Sequence, residues 1–409
     1  MLPGPLRGYS SYREWLEAEE EFKGRVVFAR LLPKAPPRPA PYEGAFAGVL
    51  RALGLTPYLH QQRALKRVEA GANVVLAYPT AAGKSLVYQA PVLQAALEGA
   101  TSLLLFPTKA LAHDQLRRLR AMAQVLGVEG VFPYDGDTPS ATRRQARERG
   151  LVLRSNPDML HYGLLPRHPD WAPFLARLRY VVLDELHAYR GVFGTHVALI
   201  LRRLLRLARH YGASPQVLAA SATIANAREH AEALTGLPFE ELKAQVARTE
   251  RELLVLLPKP LDRRGERRRS PLLEAAYLAR RLAEAGLKGL VFAGARKSAE
   301  LIARYAAHPL VRPYRAGYTA RERRRLEADL KEGRVRVLVS TSALELGVDI
   351  GELDAVVLVG YPGSTAAFWQ RAGRAGRGER RALLVYIPRE DPMDEYVLPR
   401  PALLPESPP

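Results

Sequence analysis

Short apolar runs alternate with helix-length amphipathic segments along most of this chain, and the alternation occurs in two successive sets. In the first set, residues 73–77, 102–106, 180–183 and 216–219 read as strands, and 85–97, 110–126 and 195–210 as helices. In the second, 289–292, 335–340, 355–359 and 382–386 read as strands with helices between them. A strand followed by a helix and another strand returns the chain in the same direction. The pattern therefore implies parallel sheets with helices on both faces. The fold class expected is α/β: two tandem lobes, each a parallel sheet covered on both sides.

The remaining segments divide the 409 residues. Residues 1–42, ending in the proline-rich LLPKAPPRPAPYEG, read as an extended N-terminal arm. The first lobe is expected over 43–250 and the second over 271–390. Between them 251–270, with the charge-dense LPKPLDRRGERRRS at 257–270, reads as a basic, exposed interlobe linker. Residues 391–409, closing on PALLPESPP, read as a disordered tail.

Composition narrows the chemistry. No apolar run approaches the roughly 20 residues of a membrane span, and the first residues lack a signal-peptide layout, so a cytoplasmic protein is the default. With no cysteine, disulfides and thiolate zinc sites are excluded and no zinc is expected. The nine histidines show no HExxH spacing and read as structural or surface residues. Sixty-one basic residues against 42 acidic give a net charge of +19. Such a surplus points to a polyanionic partner, because neutralising phosphates releases counterions. The alternative is a proteome-wide preference for arginine; arginine richness with few asparagines also suits a thermophile.

The strongest local signal is Thr80-Ala81-Ala82-Gly83-Lys84-Ser85, between a strand and a helix. A loop there aims backbone N–H groups and a helix N-terminus at phosphate. Gly83 allows close approach, Lys84 reaches the outer phosphates of ATP, and the Ser85 hydroxyl suits Mg²⁺. The strict pattern has a glycine where this chain has Tyr78. About a hundred residues on, the apolar run 181–183 ends in Asp184-Glu185. Asp184 would hold the metal and Glu185 would orient the attacking water. In the second lobe, Gln370-Arg371-Ala372-Gly373-Arg374-Ala375-Gly376-Arg377 carries arginines three apart. On one helix face, Arg374 and Arg377 could meet a γ-phosphate together; the alternative is a basic helix face on solvent or nucleic acid.

In this order the motifs resemble those of superfamily 2 helicases of the DExH type, whose lobes are RecA-like. The resemblance implies that Tyr58-Leu59-His60-Gln61 reads adenine, with Tyr58 and Gln61 at the nucleotide. It also implies that Pro107, Thr108 and Lys109 grip a nucleic-acid backbone, and that Ser221 and Thr223 couple hydrolysis to strand movement. The string 341–351 resembles motif V, with Thr341 on the nucleic acid and Gly347 and Asp349 at the nucleotide. Arg296 occupies the place of motif IV on the nucleic-acid side. The string 370–377 resembles motif VI, which implies arginine fingers at Arg374 and Arg377 and a catalytic place for Gln370.

Longer strings, at 134–139, 155–161, 184–196 and 343–351, are similar to the MrfA/YprA group of DNA-repair helicases, related to RecQ4-like enzymes. Gly136, Asp137 and Thr138 are then expected to touch nucleic acid. The resemblance implies an ATP- and Mg²⁺-dependent helicase or translocase moving 3′ to 5′ on single-stranded or tailed duplex DNA, ATP being hydrolysed at an interlobe cleft. An RNA helicase, or a truncated nucleic-acid-binding paralogue that does not unwind, are the alternatives. No membrane partner is expected, and a monomer is the default. That group usually continues into a C-terminal domain with a four-cysteine zinc site. A cysteine-free chain of this length therefore reads as the motor lobes only.

Overall fold

The computed structural model describes residues 2–406 apart from 80–81, 108, 222–223, 225, 245, 248, 263, 265–266, 316, 342–349, 351–352 and 377–379, and apart from the side chains of 109–114, 320, 366 and 405–406. Two compact units emerge, one from residues 37–78 and 82–245, the other from 1–36, 79–81 and 246–409.

Chain order and sheet membership diverge at the first strand. β1 (Val26–Leu32) joins the second lobe's sheet, not that of the lobe following it in sequence. The first lobe is built on β2 (Val74–Ala77), β3 (Thr101–Leu105), β4 (Val131–Pro133), β5 (Val152–Ser155), β6 (Leu178–Leu183), β7 (Gln216–Ser221) and β8 (Glu240–Lys243). Their order is β4-β5-β3-β6-β7-β2-β8, every neighbouring pair parallel. Successive side chains on a strand point to opposite faces. Val75, Leu103, Val181 and Val217 accordingly join one core with the Gly191–His210 and Ala227–Thr235 helices. The alternate residues Val74, Leu104, Val182 and Leu218 are buried as well, and the Leu59–Glu69 and Lys84–Leu97 helices pack on these strands. Burial on both faces is why these strands read as continuous apolar runs.

The second lobe repeats the plan with β9 (Arg251–Leu256), β10 (Gly289–Phe292), β11 (Val311–Tyr314), β12 (Val337–Ser340), β13 (Ala355–Val359) and β14 (Ala382–Ile387). The order is β1-β9-β14-β13-β10-β12-β11, parallel except for the antiparallel β1–β9 pair. Leu254, Val291 and Val357 face one core, while Leu253, Phe292 and Val356 face another.

Three sequence expectations need correction here. First, 1–42 is not a free arm: Tyr12, Trp15, Leu16 and Phe22 are buried in the second lobe's core. The Tyr12–Glu17 helix starts on the Glu252 carboxylate of β9, which accepts the N–H groups of Tyr12 and Arg13, both at 2.9 Å. Those are donors a helix start leaves unpaired. Second, 251–270 is not a linker, because its first six residues are strand β9. Beyond it Lys259 N–H (2.8 Å) and Arg269 Nε (2.7 Å) both bond the buried Glu274 carboxylate, which also pairs with Arg25 at 2.7 Å. Third, the tail is packed as far as it is described. The buried Asp394 accepts the Tyr361 N–H at 2.9 Å and the Tyr386 hydroxyl, and Trp369 Nε1 donates to Leu404 O at 3.1 Å.

Because Trp15 fills the second lobe's core with Arg281 stacked over it, Trp15→Ala is expected to destabilise this lobe by about 3–5 kcal/mol in chemical denaturation. An unchanged denaturation curve would return the arm to the status of an attached but unpacked segment.

Candidate nucleotide site and nucleic-acid interface

β2 runs into the loop that holds Gly83, and the Lys84–Leu97 helix follows it. Gly83 sits at φ +78°, a left-handed conformation, and a Cβ there would overlap the Gln61 amide. Gly83 is thus required twice, by backbone angle and by space. Its carbonyl accepts Gln61 Nε2 at 2.9 Å, and the Ala82 carbonyl lies 2.7 Å from His60 Nε2. The Gln61 Oε1 accepts the Tyr58 N–H at 2.7 Å, so this amide is engaged at both ends and only 4% exposed. In this structure Gln61 braces the loop. Tyr78, standing where the strict pattern has glycine, is buried, with its hydroxyl on His60 O at 3.0 Å and its ring edge-on to His60. Burial pushes the Tyr78 hydroxyl pKa upward and that of His60 downward.

β6 delivers Asp184 and Glu185. Glu185 has φ +51°, unusual for a residue with a side chain, and turns the chain sharply at the strand end. Its N–H donates to Asp184 Oδ1 at 2.8 Å, and the Tyr88 hydroxyl donates to Oδ2, also at 2.8 Å. Burial, with the neighbouring Glu185 second, pushes the Asp184 carboxyl up to about 6. Lys84 Nζ donates to Tyr78 O at 3.0 Å. Burial lowers its pKa, while the charges of Glu185 and then Asp184 oppose that shift. Lys84, Asp184 and Glu185 thus act on one another electrostatically. Glu185 Oε2 lies 3.4 Å from His187 Nε2, whose Nδ1 is 3.5 Å from the buried Ser221 hydroxyl at the end of β7. Ser85 is partly buried one residue into the helix.

The 134–139 stretch is a turn organised from inside. The Asp135 carboxylate forms a buried ion pair with Arg154 of β5 and accepts Thr138 Oγ1 at 2.9 Å and Asp137 N–H at 3.0 Å. Thr138 is buried and takes part in these bonds, whereas Gly136 and Asp137 are exposed. Arg143 bonds the carbonyls of Asp135 and Gly136 at 3.0 and 2.9 Å. Pro107 follows the buried Phe106, Arg296 is exposed at the start of the Arg296–Ala306 helix, and Thr341 follows β12, partly buried. Thr80, Ala81, Thr108, Thr223, Gly347, Asp349 and Arg377 lie outside the described residues, as does the Lys109 side chain.

The expectation that Arg374 lies on a helix face is corrected: the Thr365–Ala372 helix ends before it, Gly373 caps that helix, and Gly376 has φ +84°. Gln370 is on that helix and partly buried, whereas Arg374 follows it and is 5% exposed. Two glycines within four residues stop the helix where arginine spacing alone suggested continuation.

Comparison with known proteins places the chain among helicases. Residues 58–231 match the DEAD/DEAH box helicase family and residues 273–379 the helicase conserved C-terminal domain. The ATP-dependent helicase YprA of Bacillus subtilis is 40% identical over 98% of this chain and 54% of its own length. The ATP-dependent helicase hrq1 of Schizosaccharomyces pombe is 35% identical over 86% of this chain and 35% of its own. The crystal structure of the helicase MrfA bound to DNA has a TM-score of 0.86 at 38% identity, covering 97% of this chain and 55% of MrfA. The chain belongs to the MrfA/YprA-type group of superfamily 2 helicases. It spans about half the length of YprA and MrfA, and its two lobes are RecA-like.

The residues present fit ATP and the Mg²⁺ that the motif resemblance implies. Gly83 takes a left-handed backbone that glycine adopts without strain directly before a helix start, where free N–H groups suit phosphate, with Lys84 next to it. Ser85 and Asp184 offer the hard oxygen donors that Mg²⁺ takes one or two at a time, phosphates and waters completing its shell. Sequence reading missed His60, Tyr78, Tyr88 and the Asp135–Arg154 pair. For Tyr88 a signal existed: it stands four residues after Lys84, on the same helix face. Removing the Arg154 guanidinium would break a buried ion pair while the Asp135 charge stays buried. Arg154→Ala is therefore expected to cost about 3–5 kcal/mol in chemical denaturation. A loss under about 1 kcal/mol would show that the pair does not hold the turn.

Proposed function

We propose that this chain is an ATP-dependent DNA helicase or translocase that moves 3′ to 5′ along single-stranded DNA in the cytoplasm and serves the repair of damaged DNA. The observation that carries the reading is that the helix opening with Lys84 is bonded through Tyr88 to Asp184, with Glu185 the next residue, in one RecA-like lobe. MrfA, 38% identical, has been crystallised with DNA, which favours DNA over RNA; polarity and the repair role rest on resemblance to the group alone.

In this reading Lys84 leaves the Tyr78 carbonyl for the outer phosphates of ATP, and Glu185 orients the attacking water. Mg²⁺, when bound through Ser85 and Asp184, neutralises phosphate charge. Arg374 and Arg377 stabilise charge on the transferred phosphoryl group, with Gln370 beside them. Tyr58 and Gln61 border the adenine, and Gly347 and Asp349 complete the nucleotide contacts. Pro107, Thr108, Lys109, Gly136, Asp137, Arg296 and Thr341 hold the strand, and Ser221 and Thr223 transmit hydrolysis to it. Backbone grips of this kind depend on phosphate charge, so binding should weaken with salt.

ATPase assays with matched single-stranded DNA, duplex DNA and RNA, followed by unwinding of 3′- and 5′-tailed duplexes, test the proposal. Single-stranded DNA should stimulate hydrolysis most and the 3′ tail should be the productive one. Lys84→Ala should abolish the stimulated rate, and Glu185→Gln should retain bound ATP. Stimulation by RNA alone, or hydrolysis surviving either substitution, would refute the reading.

A further inference from the structure

The Asp184 carboxylate is held by two donors of different kinds. The Glu185 N–H on Oδ1 is local, the next residue of the same turn. The Tyr88 hydroxyl on Oδ2 is a tertiary contact, reaching across 96 residues of sequence. Tyr88 belongs to the helix that opens with Lys84, one turn further on and on the same face. A single rigid element therefore presents the amine expected at the phosphates and the hydroxyl that fixes the carboxylate expected at the cation. Each carboxylate oxygen keeps a second lone pair, so the two donors set the plane of the group and leave it able to accept a cation. Beside the Tyr88 ring is a small cavity bordered by Gln89, Phe106, Gln115 and Arg154. Tyr88 is only 1% exposed, so its hydroxyl needs an internal acceptor, and in this structure that acceptor is Asp184.

We propose that Tyr88 is a positioning residue that aligns the Asp184 carboxylate for Mg²⁺, so that the helix bearing Lys84 sets the geometry of the metal site as well as that of the phosphates. The inference rests on the nucleotide site proposed above. It separates from a structural role because a hydroxyl needed only for packing affects nucleotide binding equally with and without the cation. Partners that orient a metal ligand change metal affinity roughly 10–100-fold when removed.

The test uses the full chain as Tyr88→Phe and Asp184→Asn beside the unsubstituted protein. A fluorescent ATP analogue is titrated in EDTA and across a Mg²⁺ series, ATPase is followed against Mg²⁺, and thermal melting confirms folding. Tyr88→Phe should bind the analogue in EDTA within about twofold of the unsubstituted protein, yet need roughly tenfold more Mg²⁺ for half-maximal binding and hydrolysis. A Mg²⁺ curve identical to that of the unsubstituted protein, or a loss of affinity equal in EDTA and in Mg²⁺, overturns the proposal. If Asp184→Asn shifts the Mg²⁺ curve and Tyr88→Phe does not, only the role of Tyr88 falls. If neither shifts it, the assignment of Asp184 falls too.

Discussion

Two backbone carbonyls, those of Ala82 and Gly83, are held from behind by His60 and Gln61, and the chemistry proposed for the first lobe depends on this contact. A trans peptide points its C=O and its N–H in opposite directions. Holding the Ala82 carbonyl therefore turns the Gly83 N–H the other way, and holding the Gly83 carbonyl does the same for the Lys84 N–H. These are the donors a phosphate would meet at the start of a helix. Tyr78, an outlier against the strict motif, becomes intelligible as part of the same brace. Its hydroxyl fixes His60 O while its carbonyl holds Lys84 Nζ. A side chain packed under the Leu59–Glu69 helix thus takes a position where glycine would leave space.

The carboxylate side of the site is tied to the same helix. Tyr88 connects the Lys84–Leu97 helix to Asp184, and Glu185 at φ +51° ends β6 abruptly, so that Asp184 is bonded by its own successor. Strain of that kind persists only where surrounding contacts over-determine it, and a buried tyrosine, a strand end and a helix start do so here. The second lobe shows the same economy with charge. Glu252 caps the Tyr12–Glu17 helix, and Glu274 gathers Arg25, Arg269 and the Lys259 N–H, so two carboxylates, one on β9 and one on the Pro271–Glu284 helix, bind the N-terminal residues and the 257–270 excursion to the second lobe.

What the sequence made legible follows from burial. β10 and β13 lie at the middle of a sheet covered on both faces, and their apolar runs match the observed strands residue for residue. β4, β5 and β11 were not legible: each is three or four residues long, and Arg154 or Arg312 and Pro313 interrupt the apolar pattern. In β5 the interruption is the functional part, because Arg154 is buried to hold Asp135. β1 was hidden because its partner, β9, is more than two hundred residues away, and local composition carries no record of such pairing. Lys84, Asp184 and Glu185 could be singled out as candidates because phosphate chemistry restricts residue type and spacing together. The partners that hold them, His60, Tyr78 and Tyr88, satisfy only a hydrogen bond, which many residues at many positions could supply.

The most direct test of the brace is amide hydrogen exchange at Gly83 and Lys84 with an ATP analogue and Mg²⁺, in the unsubstituted chain and in Gln61→Ala. The account predicts that nucleotide slows exchange at both amides, and that Gln61→Ala weakens this protection while the Lys84–Leu97 helix stays folded. Unchanged exchange at both amides with nucleotide bound, or full protection without the Gln61 side chain, would contradict it.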